Sequence, residues 1–187
     1  MLKNNLRAKT LLFAVCSLVL TGVLAGCGYT TRSSIGGKYK TIYVTPFVNK
    51  IDITREGDVA SKYKLYRPHL ETDITKAQID KFMFDGNLRP VNYESADVTL
   101  KGELMEFRKD PLRYDDNDNV TEYRVNMVVN ISLWNNRDSS LIWEENNFTG
   151  ITSYFTTGTA AKTEAQAIND AITDLVRRVV ERAVEEW

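Results

Sequence analysis

The sequence predicts an α+β domain: a mainly antiparallel sheet of four to five strands with two helices packed on one face. Three observations carry that expectation. Between Glu122 and Trp134, apolar and polar side chains alternate over 13 residues. Tyr123, Val125, Met127, Val129, Ile131 and Leu133 fall on one side, and Arg124, Asn126, Asn130 and Ser132 on the other, the period of a strand with one buried and one wet face. After Thr163, Ile168, Ile172, Leu175 and Val179 form one helical stripe, widened by Ala171, Val176, Val180 and Ala183. The order strand, helix, short strand, three strands, helix then leaves two helices to cover one apolar sheet face, and hairpin links between strands favour antiparallel neighbours.

The elements follow in order. Met1 to Lys9 carries Lys3, Arg7 and Lys9 and no acid, and Leu11 to Val23 is an apolar run of 13 residues ending at Leu24-Ala25-Gly26-Cys27. A basic start, an apolar core and a small-residue site are the parts of an export signal. The run is shorter than the roughly 20 residues of a membrane span. Leu-Ala-Gly-Cys resembles the lipobox of bacterial lipoproteins, which implies cleavage of residues 1–26 and a covalent lipid on Cys27. Cleavage removes three cations and leaves a net charge of about −4 on a chain that starts near −1. Cys16 leaves with the leader and lipid consumes Cys27, so no internal disulfide remains. Residues 27–38, with Gly36-Gly37, read as the lipidated cysteine and a short polar tether, and residues 39–187 as one domain. Gly28, rather than an acid after the cysteine, points to the outer membrane under the sorting rule of that lipoprotein class.

Tyr39 to Val44 reads as the first strand, ended by Pro46. Asn49 to Arg67 is polar, without period, and reads as a loop. Pro68 suits a first helical position, Leu70, Ile74 and Ala77 recur at helical spacing, and Gly86 is the expected left-handed cap, so the first helix is placed at about Pro68 to Phe84. A short strand is expected near Leu88 to Tyr93. Three long strands follow at Asp97–Phe107, Glu122–Trp134 and Ser140–Tyr154, the last two joined by the turn Asn135-Asn136-Arg137-Asp138. Thr163 and Gln166 make a capping box for the last helix. Its polar face mixes Asp170, Asp174, Glu181, Arg177, Arg178 and Arg182, with Asp174 and Arg178 spaced to pair, and this suits packing on a sheet better than lying on a lipid surface.

Chemistry is sparse. His69 is the single histidine, set beside Pro68 at a helix start, where a capping or surface role fits better than catalysis. Two cysteines and one histidine cannot build a Cys/His metal site. Asp115-Asp116-Asn117-Asp118-Asn119 has calcium-loop spacing at first, but Val120 stands where glycine is needed and Asn126 where a bidentate glutamate is needed, so a solvated hairpin loop is expected. No phosphate-binding glycine loop or nucleophile elbow occurs, and neither an enzyme, a cofactor nor a nucleic-acid partner is expected. Arg108, Lys109, Arg113 and Arg124 fall on two neighbouring strands near one end of the sheet. Arginine forks match phosphate, so an anionic glycolipid such as lipopolysaccharide would suit them. Glu103, Glu106 and Glu122 could equally balance them on a solvated face.

Several segments in order carry a resemblance: Cys27-Gly28-Tyr29, Thr41–Asn49 (TIYVTPFVN), Phe84–Val91 (FDGNLRPV), Ala96–Leu104 (ADVTLKGEL), Glu122-Tyr123-Arg124, Leu141-Ile142-Trp143 and a terminal helix ending at Trp187. Together they resemble the lipopolysaccharide-assembly lipoprotein family LptE, over nearly all of the chain after Cys27. The resemblance implies a lipid-anchored, non-catalytic outer-membrane protein that plugs and scaffolds an LptD-like β-barrel, with lipopolysaccharide as the cargo inserted. Residues 51–67 look longer than the family pattern. The rival expectation is a lipoprotein that activates a peptidoglycan synthase or scaffolds another envelope complex; an 11-residue tether, Gly28 to Lys38, favours work close to the membrane.

Overall fold

The computed structural model describes residues 38–51 and 67–184. The leader, Cys27, the tether up to residue 37, residues 52–66 of the expected loop and the terminal Trp187 lie outside the described residues.

The chain forms β1 (Thr41–Val44), β2 (Val48–Asn49), α1 (Leu70–Asp85), β3 (Arg89–Pro90), β4 (Val98–Tyr114), β5 (Val120–Asn135), β6 (Leu141–Phe155) and α2 (Glu164–Val184). The strands make one sheet of six in the order β3-β1-β4-β5-β6, with β2 also on β4. The sheet is mixed, which corrects the expected mainly antiparallel sheet of four to five strands. The β4–β5–β6 meander is antiparallel, while β1 pairs in parallel with both β3 and β4, and β2 in parallel with β4. The cause is connectivity. Between β1 and β3 the chain passes through α1, and a helical crossover returns a strand in the same direction. β2, two residues long, is below what alternation can signal, whereas β3 falls inside the short strand expected near Leu88 to Tyr93.

Local chemistry explains the boundaries. His69 sits in the left-handed region at φ 64°, so α1 starts at Leu70 and Pro68 lies in the turn before it. Gly86, at φ 77°, donates its N–H to the Phe82 carbonyl and closes the helix as expected. The Thr163–Gln166 capping box forms in both directions, at 2.9 and 3.2 Å. β4 runs seven residues beyond its expected end, through Pro111, with irregular register at Leu104/Glu106 and Pro111/Arg113. Past Leu104 its outer edge has no strand partner among the described residues, and a proline there interrupts no ladder.

Leu100, Leu104, Phe107, Val125, Met127, Val129, Ile131 and Leu133 form one core with Leu70, Ile74 and Phe82 of α1 and the apolar stripe of α2. Two glycines permit this closeness. A Cβ on Gly102 would stand 2.2 Å from the Phe47 ring, which fills that space. A Cβ on Gly150 would stand 2.5 Å from the Leu175 Cβ and 2.8 Å from the Ala171 carbonyl oxygen, so α2 rests directly on the β6 backbone.

The polar face of α2 corrects one expectation. Asp174 pairs with Arg177 at 2.7 Å and accepts the Ile151 N–H at 3.2 Å, while Arg178 donates to the Thr149 carbonyl oxygen and covers the Phe148 ring. Asp174 and Arg178 therefore serve β6, an edge strand whose outward backbone groups need partners, and do not pair with each other. The sheet has two ends. The near end gathers the start of β1, the α1–β3 turn, a 3-10 turn at Tyr93–Ser95 and the β5–β6 hairpin. The far end holds the β4–β5 hairpin and the β6–α2 connection.

Candidate functional site

The face of β4–β6 away from the helices follows from register. Directly opposed residues share a face, and Arg108 lies opposite Asn126, Asp110 opposite Arg124, and Arg113 opposite Glu122. Arg108, Arg113 and Arg124 therefore share this open face. Lys109 lies opposite Val125, whose side chain is fully buried beneath α2, and so faces the helices. Three of the four expected cations come together and the fourth does not.

Lys109 has its own surroundings. Its ammonium lies 2.5 Å from Glu164 in the first turn of α2 and 4.9 Å from the centre of the Tyr123 ring, which stacks on Tyr154 at 5.8 Å. Burial works against the charge, but the Glu164 carboxylate outweighs it and holds the Lys109 pKa above its ordinary value. Burial also pushes the Tyr154 hydroxyl up. This cluster pins the start of α2 to the sheet.

The open-face arginines are partly engaged. Arg108 bridges Glu106 at 3.1 Å and Asp110 at 2.9 Å, and Asp110 also accepts from the Asn126 amide at 2.8 Å. Arg113 pairs with Glu122 at 2.9 Å, with its guanidinium 5.9 Å from the Phe155 ring centre. Arg124 is exposed and makes no ion pair among the described residues. Glu106 and Glu122 balance their neighbours as the sequence allows; Asp110, the partner of Arg108, lies two residues on and so on the same face, but beyond Phe107, where the sequence reading ended that strand.

Further along the same face lies a depression of about 220 Å³, lined by Lys101, Glu103, Asn130, Ser132, Trp134 and Glu144 among others. The Lys101 ammonium stands 4.6 Å over the Trp134 ring, whose N–H donates to Ser132 at 2.9 Å. Trp134 was legible only as the last residue of a strand. Alternating charge, amides and hydroxyls give a wet face that can accept phosphate, sugar or another polar wall, but they assemble no nucleophile with a base. Cys27 lies outside the described residues.

The rejected calcium loop has a plain geometry. The Asp115 carboxylate accepts the N–H groups of Asn117 and Asn119 at 2.9 Å each, and the Asn119 N–H is the main reason its pKa lies below the usual carboxylate value. No cluster of three metal-binding side chains occurs among the described residues. At the near end, the Asp97 carboxylate accepts the N–H groups of Lys40 at 2.9 Å and Thr41 at 3.2 Å and pairs with Arg137 at 2.9 Å, fastening the entry of β1 to the sheet.

A family model described as LptE, lipopolysaccharide-assembly, matches residues 39–183. No curated protein matches the chain by sequence. A crystal structure of a protein from Xanthomonas campestris superposes with a TM-score of 0.51 at 12% identity, covering 78% of this chain and 84% of that one, and shares the fold. Rare lipoprotein B from Shewanella oneidensis gives a TM-score of 0.42 at 10% identity, covering 75% and 92%. A minor lipoprotein from Acinetobacter baumannii gives 0.46 at 15% identity, covering 79% and 94%.

Proposed function

The chain belongs to the LptE lipopolysaccharide-assembly family, and from that premise we propose that it is a non-catalytic outer-membrane lipoprotein that plugs and scaffolds an LptD-like β-barrel during insertion of lipopolysaccharide. The observation that carries this reading is the extent of the family match, residues 39–183, which takes in both helices almost completely and every strand. The leader and Leu24-Ala25-Gly26-Cys27 support lipidation at Cys27. Wide barrels have polar interiors, and a domain whose exposed sheet face carries alternating acids, bases and amides can sit against such a wall without burying bare charge.

In this reading Arg108, Arg113 and Arg124 offer guanidinium forks to lipid phosphates, Arg124 first because it has no carboxylate to give up. Lys109 takes part only by anchoring α2. Changing Arg108, Arg113 and Arg124 together to glutamate should weaken lipopolysaccharide binding by the soluble domain severalfold, measured by titration with labelled lipopolysaccharide. Unchanged binding with an intact circular-dichroism spectrum would remove the arginines from the account. The role itself is tested by affinity purification of the tagged chain from detergent-solubilised envelope, with mass spectrometry of whatever co-purifies near one to one. A large outer-membrane β-barrel protein supports the reading. A cell-wall synthase, or no stoichiometric partner, overturns it.

A further inference from the structure

The two helices are held to the rest of the fold very differently. α2 buries nine residues, all apolar, while α1 buries four, Leu70, Ile74, Gln78 and Phe82. α2 also has four polar ties to the sheet: Glu164 to Lys109, Asp174 to the Ile151 N–H, Arg178 to the Thr149 carbonyl and Arg182 to Glu145. Among the described residues α1 has two, both to the stretch around β2. The Thr75 hydroxyl accepts the Phe47 N–H at 2.9 Å, and Glu71 accepts from the Asn49 amide at 3.3 Å. The Thr75 hydroxyl in turn donates to the Glu71 carbonyl at 2.7 Å, a back-bond that slightly weakens a helix. No side chain caps the first turn of α1, and its last turn carries Asp85 and no base, against the helix dipole.

Gln78 sits in the middle of the α1 stripe. Its side chain is fully buried, and neither amide atom has a hydrogen-bond partner among the described residues. Seating α1 on the core therefore strips the amide of water without replacing the bonds that water made, a cost that falls on the closed arrangement alone. The residues that bracket the helix are suited to move. His69 and Gly86 both lie in the left-handed region, at φ 64° and 77°, and a Cβ on Gly86 would meet no atom within 4 Å. Hinges are built from a few such element-terminal residues. Beyond Gly86, the two residues of β3 pair the chain back to β1.

We propose that α1 is a lid: hinged at His69 and Gly86, it lifts as a unit while α2 and the β4–β6 meander stay folded, and the buried Gln78 amide sets how readily it lifts. α1 packs mainly on α2, β3 and β1, so lifting uncovers apolar surface on the helix side of the core and breaks no pairing in the antiparallel meander. Segments with few buried apolar side chains open at a fraction of the free energy of global unfolding. The device depends on neither the lipid nor the barrel partner. It gives the domain two arrangements of its helix side, one with the core covered and one with an apolar strip of α2 and β1 laid open.

Hydrogen exchange followed by mass spectrometry on the full mature chain in detergent tests it, read in peptides from α1, α2 and β5 at several urea concentrations below the unfolding transition. After correction for sequence, α1 amides should exchange about 100-fold faster than those of α2 and β5, with a shallower urea dependence, because a partial opening exposes less surface than global unfolding. Gln78→Met exchanges one good helix former for another and removes the unpaired amide, so it should slow α1 exchange about tenfold. Equal protection and equal urea slopes in α1, α2 and β5 overturn the lid, and this measurement needs no variant. A folded Gln78→Met chain whose α1 exchanges as fast as wild type overturns the role given to the amide.

Discussion

Replacing Gly150 by alanine tests the closeness of α2 to the sheet. The new methyl would meet the Leu175 Cβ at 2.5 Å, the Ala171 carbonyl oxygen at 2.8 Å and the Leu175 Cα at 3.0 Å. Ordinary carbon contacts begin near 3.5 Å, so α2 must lift by about 0.5–1 Å. It cannot do so freely, because Arg178 and Asp174 tie it to Thr149 and Ile151 on the same strand. Burying one methyl returns about 0.8 kcal/mol, and overpacking of this kind costs a net ~1–3 kcal/mol. For a domain of this size that lowers Tm by about 3–10 °C. Urea and thermal unfolding of the mature domain, followed by fluorescence, measure it, with Ser153→Ala on the same strand as an exposed control expected within about 0.5 kcal/mol of wild type. Since the obstructing atoms are backbone and Cβ, trimming Leu175 to alanine should not rescue Gly150→Ala. A neutral Gly150→Ala variant, or clear rescue by Leu175→Ala, would refute the packing argument.

Gln78 is fully buried in α1 with neither amide atom hydrogen-bonded among the described residues, so Gln78→Met should stabilise the domain by about 1–3 kcal/mol; a lower unfolding midpoint would mean that the amide is satisfied in solution. Asp97 has its pKa held below 3.8, first by the Lys40 N–H and further by Arg137 and Thr41 against the opposing effect of burial. A depressed carboxylate contributes stability above its unfolded pKa and loses it as pH falls through the folded value. Asp97→Asn should therefore be less stable than wild type near neutrality, with the gap closing below about pH 4; a gap independent of pH would sink the assignment.

What could be read from the residues alone divides by mechanism. β5 was legible because one face is buried along its whole length, so period two survives in the sequence. α2 was legible for the matching reason, and Thr163, Gln166 and Gly86 announced its start and the end of α1 through chemistry that acts within a turn. β2 was not, since two residues carry no period, and although a short strand was expected where β3 lies, its parallel pairing with β1 was not, so the parallel half of the sheet went unread. Gln78 breaks the apolar stripe of α1, where a polar side chain reads as solvent-facing. The site shows the same division. Alternation along β4 puts Asp110 on the same face as Arg108 and Lys109 on the other, but Arg113 joins Arg108 only because the register shifts between Pro111 and Arg113, and the Glu164 partner of Lys109 depends on where α2 docks, which no local pattern encodes.

The pairing of Asp174 and Arg178 with β6 has a consequence for how copies of the domain meet. A bare edge strand is a template for a second sheet, and β6, 15 residues long, would be a generous one. Helix side chains occupy the Ile151 N–H and the Thr149 carbonyl, so an incoming strand finds its hydrogen bonds already taken midway along the edge. The domain is insulated against stacking into ribbons along that rim. The insulation is made of two side chains on a neighbouring helix, which leaves the strand's own sequence free to serve the core.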